Sequence, residues 1–194
     1  MPVPDDASAR RHRKVLAAAA GLLIAAGTPA LAALPTGQKA PDFTAQASQG
    51  GKEFNFSLAN ALRRGPVVVY FYPAAFTKGC TVEAHDFAEA TDEFRKLGAT
   101  VIGVSEDDIA TLDRFSVSEC QSRFPVAADQ SGKVAGAYDA LLKAHPGHAD
   151  RTSYAIAPDG RILASYTAMD PDGHVDRMLD AVRHWRAVSG AKTG

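Results

Sequence analysis

The sequence predicts an α/β fold in which a mixed central β-sheet is covered by helices on both faces. Strand-like apolar runs alternate with segments of helical periodicity through the middle of the chain. Two further apolar strands flank Ala157-Pro158-Asp159-Gly160, which is typical of a β-hairpin. The last element, from His174 to Val188, has the apolar spacing of an amphipathic helix.

The first half of the chain supplies two predicted strands and one long helix. Residues 43–47 predict a short strand, which a turn at 48–52 ends. The run at 67–71 (VVVYF) follows a Gly-Pro pair, is β-branched and aromatic throughout, and predicts a buried central strand. From 80 to 97 apolar residues recur at three- and four-residue steps until Gly98, which predicts a helix.

The second half continues the alternation and ends in the hairpin and the last helix. Strands are predicted at 99–104, 124–128, 152–156 and 161–166, with helices after 105 and at 132–142. This order fits a thioredoxin-like architecture, which we predict for residues 38–188.

Composition narrows the classes of function. The chain has 194 residues, 46% of them hydrophobic, and a net charge of −1. A nearly neutral chain lacks the concentrated basic face that nucleic acid or an anionic membrane requires, so neither is an expected partner. The two cysteines are too few for a disulfide-stapled scaffold. Two is nevertheless the smallest number that can run a dithiol–disulfide cycle.

The N-terminal residues have the pattern of a secretory signal. A basic cluster at 10–14 precedes an apolar run at 15–27, and Ala30-Leu31-Ala32 fits a cleavage site. The apolar run is shorter than the about 20 residues that span a bilayer. We therefore predict a signal peptide over residues 1–32, with an uncleaved anchor as the alternative. The mature protein is expected in the periplasm or outside the cell, without membrane attachment.

Cys80 lies where a buried strand and a short loop give way to the predicted long helix. The first turn of a helix offers unpaired N–H groups and the positive end of the helix dipole, and both favour a thiolate. Because the thiolate is the nucleophilic form of cysteine, this position makes Cys80 a candidate for reactivity. The alternative is an inert buried cysteine that acts as a small apolar residue.

The residues around Cys80 resemble the active-site motif of peroxiredoxins. Pro73-x-x-x-Thr77-x-x-Cys80 matches P-x-x-x-T-x-x-C, and the stretches 71–73 and 79–84 resemble the peroxiredoxin Q branch, also called bacterioferritin comigratory protein. Further resemblances lie at 40–43 and 150–160, so the likeness runs roughly from Gln38 to Trp185. It implies a thiol-dependent peroxidase that reduces hydrogen peroxide and organic hydroperoxides.

The resemblance implies a role for each residue of the motif. Cys80 is the attacking thiolate, Thr77 orients the peroxide, and Pro73 shields the sulfur from water. Arg151 stabilises the thiolate and the charge on the leaving oxygen, and Glu83 holds that guanidinium in place. Taken without the family, Thr77 could instead cap the helix, Arg151 could form a surface ion pair and Glu83 could be solvated.

The expected product of the attack is a sulfenic acid on Cys80, which a second thiol must resolve. Many relatives carry that thiol five residues after the first, where this chain has His85. The other thiol here is Cys120, near the end of the helix predicted after residue 105. A Cys80–Cys120 disulfide would require local unwinding, because the two Cα atoms must come within about 7 Å. The alternative is direct resolution by an external thiol.

Two other functions on the same fold remain as alternatives. A thiol-disulfide oxidoreductase uses C-x-x-C, but Thr77 and Glu83 stand three residues either side of Cys80. A copper-binding assembly factor would need a second loop cysteine, and this loop has Cys80 alone. The peroxidase interpretation implies no metal, haem or flavin, a thioredoxin-like protein as electron donor, and a monomer.

Overall fold

The structure, a computed structural model, describes residue 1 and residues 33–190. Most of the predicted signal segment, residues 2–32, therefore lies outside the described residues, and its cleavage stays a prediction. Among the residues that the structure describes, no helix has both the length and the apolar character needed to cross a membrane.

Seven strands and five helices are formed by the described residues. The strands are β1 Thr44–Gln49, β2 Lys52–Ser57, β3 Val67–Phe71, β4 Thr100–Ser105, β5 Val126–Ala128, β6 Thr152–Ile156 and β7 Ile162–Thr167. The helices are α1 Leu58–Leu62, α2 Lys78–Lys96, α3 Ile109–Ser118, α4 Lys133–Ala137 and α5 His174–Gly190.

The strands form one mixed sheet in the order β2-β1-β5-β4-β3-β6-β7. β3 lies near its centre, parallel to β4 and antiparallel to β6. All five residues of β3 are fully buried, which confirms the buried central strand. In the β3–β6 register Phe71 lies opposite Thr152. The loop after β3 and the residues just before β6 therefore come together at one edge of the sheet.

Helices cover both faces of the sheet, as predicted. Alternate residues of β3 point to opposite faces and therefore join two separate apolar cores. Val67, Val69 and Phe71 join the apolar core on the side of α1 and α4. Val68 and Tyr70 join the other core, with residues of α2, α3 and α5. That second core also contains both cysteines.

The structure departs from the sequence-based prediction at four elements. β2 and α1 were not predicted; β2 (KEFNFS) is an edge strand that buries only Phe56 fully, so its apolar alternation is weak. α4 ends at Ala137 rather than at residue 142, because Asp139 adopts a left-handed backbone with φ 51°. α2 begins two residues before the predicted start, which places Cys80 inside its first turn.

Candidate active site

Cys80 is the third residue of α2 and is buried. The first backbone hydrogen bond of the helix runs from the Thr81 amide to the Thr77 carbonyl at 2.9 Å. The amides that precede Thr81 in this turn have no partner four residues earlier in the helix, and the positive end of its dipole lies there. The Cys80 sulfur therefore lies in the positive potential of the helix N-terminus.

The loop between β3 and α2 is held by the end of the neighbouring strand. The Ala75 amide donates to Asp107 Oδ2 at 2.7 Å, and Ser105 donates to the same oxygen at 2.8 Å. Phe76, next in the loop, adopts a left-handed backbone with φ 63°, which a non-glycine residue rarely does. Asp107 therefore fixes the path of the loop, a role that sequence analysis did not identify.

Arg151 places its guanidinium beside the thiol. Its Nη2 lies 3.5 Å from Cys80 Sγ, and its Nε donates to the Met169 carbonyl at 3.0 Å. The Arg151 side chain is 4% exposed, and its Nη1 forms an ion pair with Glu83 Oε2. The alternative of a surface ion pair for Arg151 is therefore wrong. The three guanidinium nitrogens of Arg151 each have a separate partner, which fixes the orientation of this planar group beside the sulfur.

Glu83 is fully buried on the same helix as Cys80, so the alternative of a solvated first-turn acid is wrong. Burial raises the pKa of Glu83 to about 8, and the neighbouring Arg151 charge opposes that rise. Its Oε1 accepts no hydrogen bond from a described residue. His174 Nδ1 faces that oxygen at 3.5 Å, a separation at the outer limit for a hydrogen bond.

Thr77 and Pro73 lie in the loop before α2. Thr77 occupies the N-cap position, but its side chain makes no capping hydrogen bond, so that alternative is wrong. The hydroxyl instead donates to the Ala74 carbonyl at 3.0 Å. Because the Thr77 hydroxyl proton is used in this bond, the lone pairs of Thr77 Oγ1 are free to accept a hydrogen bond from another donor. Pro73 is half-buried.

Gly79 lies against the arginine. A Cβ at this position would come 2.9 Å from Arg151 Nη2. Because Arg151 is buried and held at three nitrogens, its guanidinium has little freedom to move aside. A side chain at residue 79 would therefore displace the charge from Cys80.

We expect Gly79→Ala to lower the rate constant for Cys80 oxidation by peroxide by about tenfold or more, because misplacing a reacting group by 1 Å can lose about 10² in rate. The free energy of unfolding should change by less than about 1 kcal/mol. Stopped-flow peroxide kinetics and urea unfolding measure the two. Gly147→Ala is the matched control, since nothing lies within 4 Å of its added Cβ. Wild-type kinetics in Gly79→Ala would contradict the expectation.

Cys120 lies just beyond Glu119, the C-cap residue of α3, and is fully buried. Both cysteines are free thiols. Burial raises the pKa of Cys120 well above its ordinary value, with a smaller contribution from Glu119. In this conformation Cys120 is therefore protonated at neutral pH and a poor nucleophile.

The segment that carries Cys120, residues 119–123, is fastened to α2. His85 Nε2 lies 3.2 Å from Glu119 Oε2, and Arg123 Nη2 lies 2.6 Å from Asp92 Oδ2. Within the segment, Gln121 and Ser122 adopt left-handed backbones with φ 50° and 58°. A strained segment held by surface contacts is suited to local opening. We call residues 119–123, together with the His85–Glu119 contact and the Asp92–Arg123 ion pair, the α3 clamp.

His174 is a site residue that sequence analysis missed. It begins α5 and is fully buried. Its Nδ1 lies 2.8 Å from Ser153 Oγ and its Nε2 lies 3.0 Å from the Ala168 carbonyl. Burial lowers the pKa of His174 to about 4. The available signal was its position four residues before Met178 and eight before Val182, on the apolar face of the last helix.

Three comparisons relate the chain to known proteins. The AhpC/TSA family profile matches residues 36–165. A Helicobacter pylori protein named as a peroxiredoxin of the Bcp type is 34% identical, and the match covers 77% of this chain and 98% of that one. Chloroplastic peroxiredoxin Q of rice is 34% identical over 78% of this chain and 75% of its own. The crystal structure of peroxidoxin BcpB from Mycobacterium tuberculosis is 29% identical, with a TM-score of 0.70, over 78% of this chain and 97% of that chain.

Proposed function

Because this chain belongs to the AhpC/TSA family and to its peroxiredoxin Q branch, we propose that it reduces hydroperoxides through a sulfenic acid on Cys80. Its activity class is that of a thiol-dependent peroxidase. The observation that carries the proposal is the Arg151 Nη2 atom 3.5 Å from Cys80 Sγ at the start of α2. Family membership favours this function over a C-x-x-C oxidoreductase or a copper-binding factor.

The chemical step is a displacement at oxygen. The Cys80 thiolate attacks the terminal oxygen of the hydroperoxide, the S–O bond forms and the O–O bond breaks. The sulfur loses two electrons, the peroxide gains them, and the leaving alkoxide or hydroxide takes a proton to become an alcohol or water. Arg151 faces the charge as it moves from sulfur to the leaving oxygen, where a fixed cation lowers the barrier.

Thr77 and Pro73 prepare the peroxide for that step. The Thr77 hydroxyl donates to Ala74, so its oxygen is directed to accept from the O–H of an incoming hydroperoxide. Holding that proton would align the terminal oxygen with the sulfur three residues further along the chain. Pro73 adds an apolar ring without an N–H group and shields the site from water.

Resolution of the sulfenic acid is assigned to Cys120. Its thiol would attack the Cys80 sulfur, form a disulfide and release the sulfenic oxygen as water, a condensation that needs no further oxidant or reductant. The α3 clamp must open first, because Cys120 is buried and in its protonated form. A dithiol donor of thioredoxin-like fold would then reduce the disulfide by exchange. The alternative is attack on Cys80 by an external thiol.

Loosening the α3 clamp is expected to speed disulfide formation. Glu119→Gln removes the carboxylate that contacts His85 Nε2, and surface contacts of this kind contribute about 0.2–1 kcal/mol. That energy corresponds to a rise of about 1.4- to 5-fold in the rate of Cys80–Cys120 bond formation. Rapid quenching and mass analysis after one equivalent of peroxide measures it. Asp180→Asn, which breaks a surface pair with Arg183 on α5, is the control. Slower disulfide formation in Glu119→Gln would contradict the clamp.

Mass analysis of the reduced protein after one equivalent of hydrogen peroxide tests the proposed function. We expect the wild type to lose two hydrogens through a Cys80–Cys120 bond, and Cys120→Ser to accumulate a trappable sulfenic acid. A sulfenic acid in the wild type with Cys120 free would assign resolution to an external thiol. Oxidation of Cys80 no faster than that of free cysteine would refute the peroxidase mechanism.

The location and assembly of the protein complete the proposal. The secretory pattern of residues 10–32 supports export to the periplasm or the medium. The proposed state is a monomer, and the proposed substrates are hydrogen peroxide and organic hydroperoxides. The N-terminal mass of protein recovered from outside the cytoplasmic membrane tests export. Cleavage after Ala32 supports it, and an intact N-terminus on cytoplasmic protein would contradict it.

A further inference from the structure

A chain of buried polar contacts leads from Cys80 to His174. Cys80 Sγ contacts Arg151 Nη2, Arg151 Nη1 pairs with Glu83 Oε2, and Glu83 Oε1 faces His174 Nδ1 at 3.5 Å. Three elements meet here. Cys80 and Glu83 belong to the start of α2, Arg151 directly precedes β6, and His174 begins α5. The side chains of Glu83 and His174 are both 0% exposed.

The tautomer of His174 follows from its partners. The Ala168 carbonyl can only accept, so His174 Nε2 must carry a proton. Burial disfavours a second proton and lowers the pKa of the ring, although the Ala168 contact favours the charged form. Nδ1 is then an acceptor, and the Ser153 hydroxyl donates to it at 2.8 Å.

Glu83 Oε1 is unusual because it is buried and accepts no hydrogen bond from a described residue. An unsatisfied carboxylate oxygen in the interior is unfavourable. Because Nδ1 is an acceptor, His174 can satisfy Glu83 when Oε1 carries the proton and donates it to Nδ1, beside the Ser153 hydroxyl. Burial raises the pKa of Glu83 to about 8, which favours this protonated form at neutral pH. The other charged groups near the pair are Arg151, Asp86 beside Glu83, and Arg177 and Asp170 beside His174.

We propose that His174 is a positioning residue for the peroxidase reaction: its ring holds the Glu83 carboxyl group so that Arg151 presents its Nη2 to Cys80. The inference rests on the proposed function of Cys80. A histidine that served the fold alone would need only its contacts with Ser153 and Ala168. The third contact, to the carboxylate that pairs with Arg151, connects the ring to the reacting sulfur.

Two substitutions separate the two sides of the ring. His174→Gln can keep a donor near the Ala168 carbonyl but removes the group that faces Glu83. His174→Asn places an amide at the position of Nδ1, where its carbonyl oxygen can accept from Glu83 Oε1. His184→Gln, on the exposed face of the same helix, is the matched control.

The experiment measures two rate constants of Cys80 in each variant. One is for oxidation by hydrogen peroxide, and the other is for alkylation by iodoacetamide, which needs the thiolate but no O–O cleavage. We expect His174→Gln to lower the peroxide rate by about 10- to 100-fold and to lower alkylation much less. His174→Asn should recover most of the peroxide rate, and His184→Gln should match the wild type.

Equal loss of both rates in His174→Gln, or a fall in rate that merely follows a fall in thermal midpoint in both variants, would overturn the positioning role. So would wild-type peroxide kinetics in His174→Gln. Failure of the proposed function is a different result, since wild-type Cys80 would then react with peroxide no faster than free cysteine.

Discussion

Replacing Arg151 with alanine is expected to lower the second-order rate constant for Cys80 oxidation by about 10²–10³-fold, the loss that follows removal of one preorganised donor to developing charge. The guanidinium is buried and places a positive charge 3.5 Å from the sulfur. Competition kinetics against a second peroxidase, or stopped-flow fluorescence of Trp185, would measure the rate.

Arg151→Lys separates charge from geometry. A lysine keeps the positive charge but has one nitrogen, so it cannot meet Cys80, Glu83 and the Met169 carbonyl together as the arginine does. We expect its rate to lie between those of the wild type and Arg151→Ala. Arg161→Lys, an exposed arginine paired with Asp159, should react as the wild type does. An Arg151→Ala enzyme that kept the wild-type rate would refute electrostatic assistance by this side chain.

The free energy of unfolding is expected to fall as pH rises from 6.5 to 8, and Glu83→Gln should reduce that fall. Burial raises the pKa of Glu83 to about 8 in the folded protein, against about 4.3 in the unfolded chain. Between these values the folded state binds more protons than the unfolded state, so stability is present at low pH and is lost as pH rises. The loss across this window is roughly 2 kcal/mol.

The lower limit of the window is set by His174. Its pKa is lowered to about 4 on folding, from about 6.5 in the unfolded chain. This gives the opposite slope, because stability is then lost as pH falls below 6.5. The unfolded histidine is half protonated at pH 6.5 and almost neutral above about pH 7.5. His174 is present in both proteins that are compared, so the difference between them reports Glu83.

Urea unfolding at four pH values, with Cys80→Ser and the Cys80→Ser, Glu83→Gln double variant, measures the effect without the thiol. Glu106, whose pKa burial raises to about 7, titrates in an overlapping range but is common to both proteins and cancels in the difference. Parallel stability curves for the two proteins would show that Glu83 ionises in the folded state as it does in the unfolded chain.

The central features of the fold were predictable because they depend on local patterns. Five consecutive apolar residues in β3 predict a buried strand, and the spacing from Ala84 to Leu97 predicts α2. β2 was missed because an edge strand needs only one apolar face and here buries little more than Phe56. The extent of α4 depended on the backbone conformation of Asp139, which no periodicity reveals.

The residues of the candidate site also divide into those that local patterns predict and those that only the packing reveals. Cys80, Thr77 and Pro73 lie within one short motif, and Arg151 was found through the family resemblance. The ion pair between Arg151 and Glu83 could be anticipated, but its complete burial could not. His174 joins the site only through the packing of α5 against α2 and β6, so no pattern near Cys80 indicates it.

The burial of Cys120 has a consequence for how a partner could recognise the oxidised protein. The apolar core around this thiol includes Tyr72, Phe115 and Phe124. If the α3 clamp opens to join Cys120 to Cys80, part of this aromatic surface loses its cover. The disulfide form would then expose an apolar patch that is buried in the reduced protein. An electron donor that binds this patch would bind the oxidised protein in preference to the reduced one. A protease that cleaves within residues 119–123 would likewise cleave the oxidised form faster.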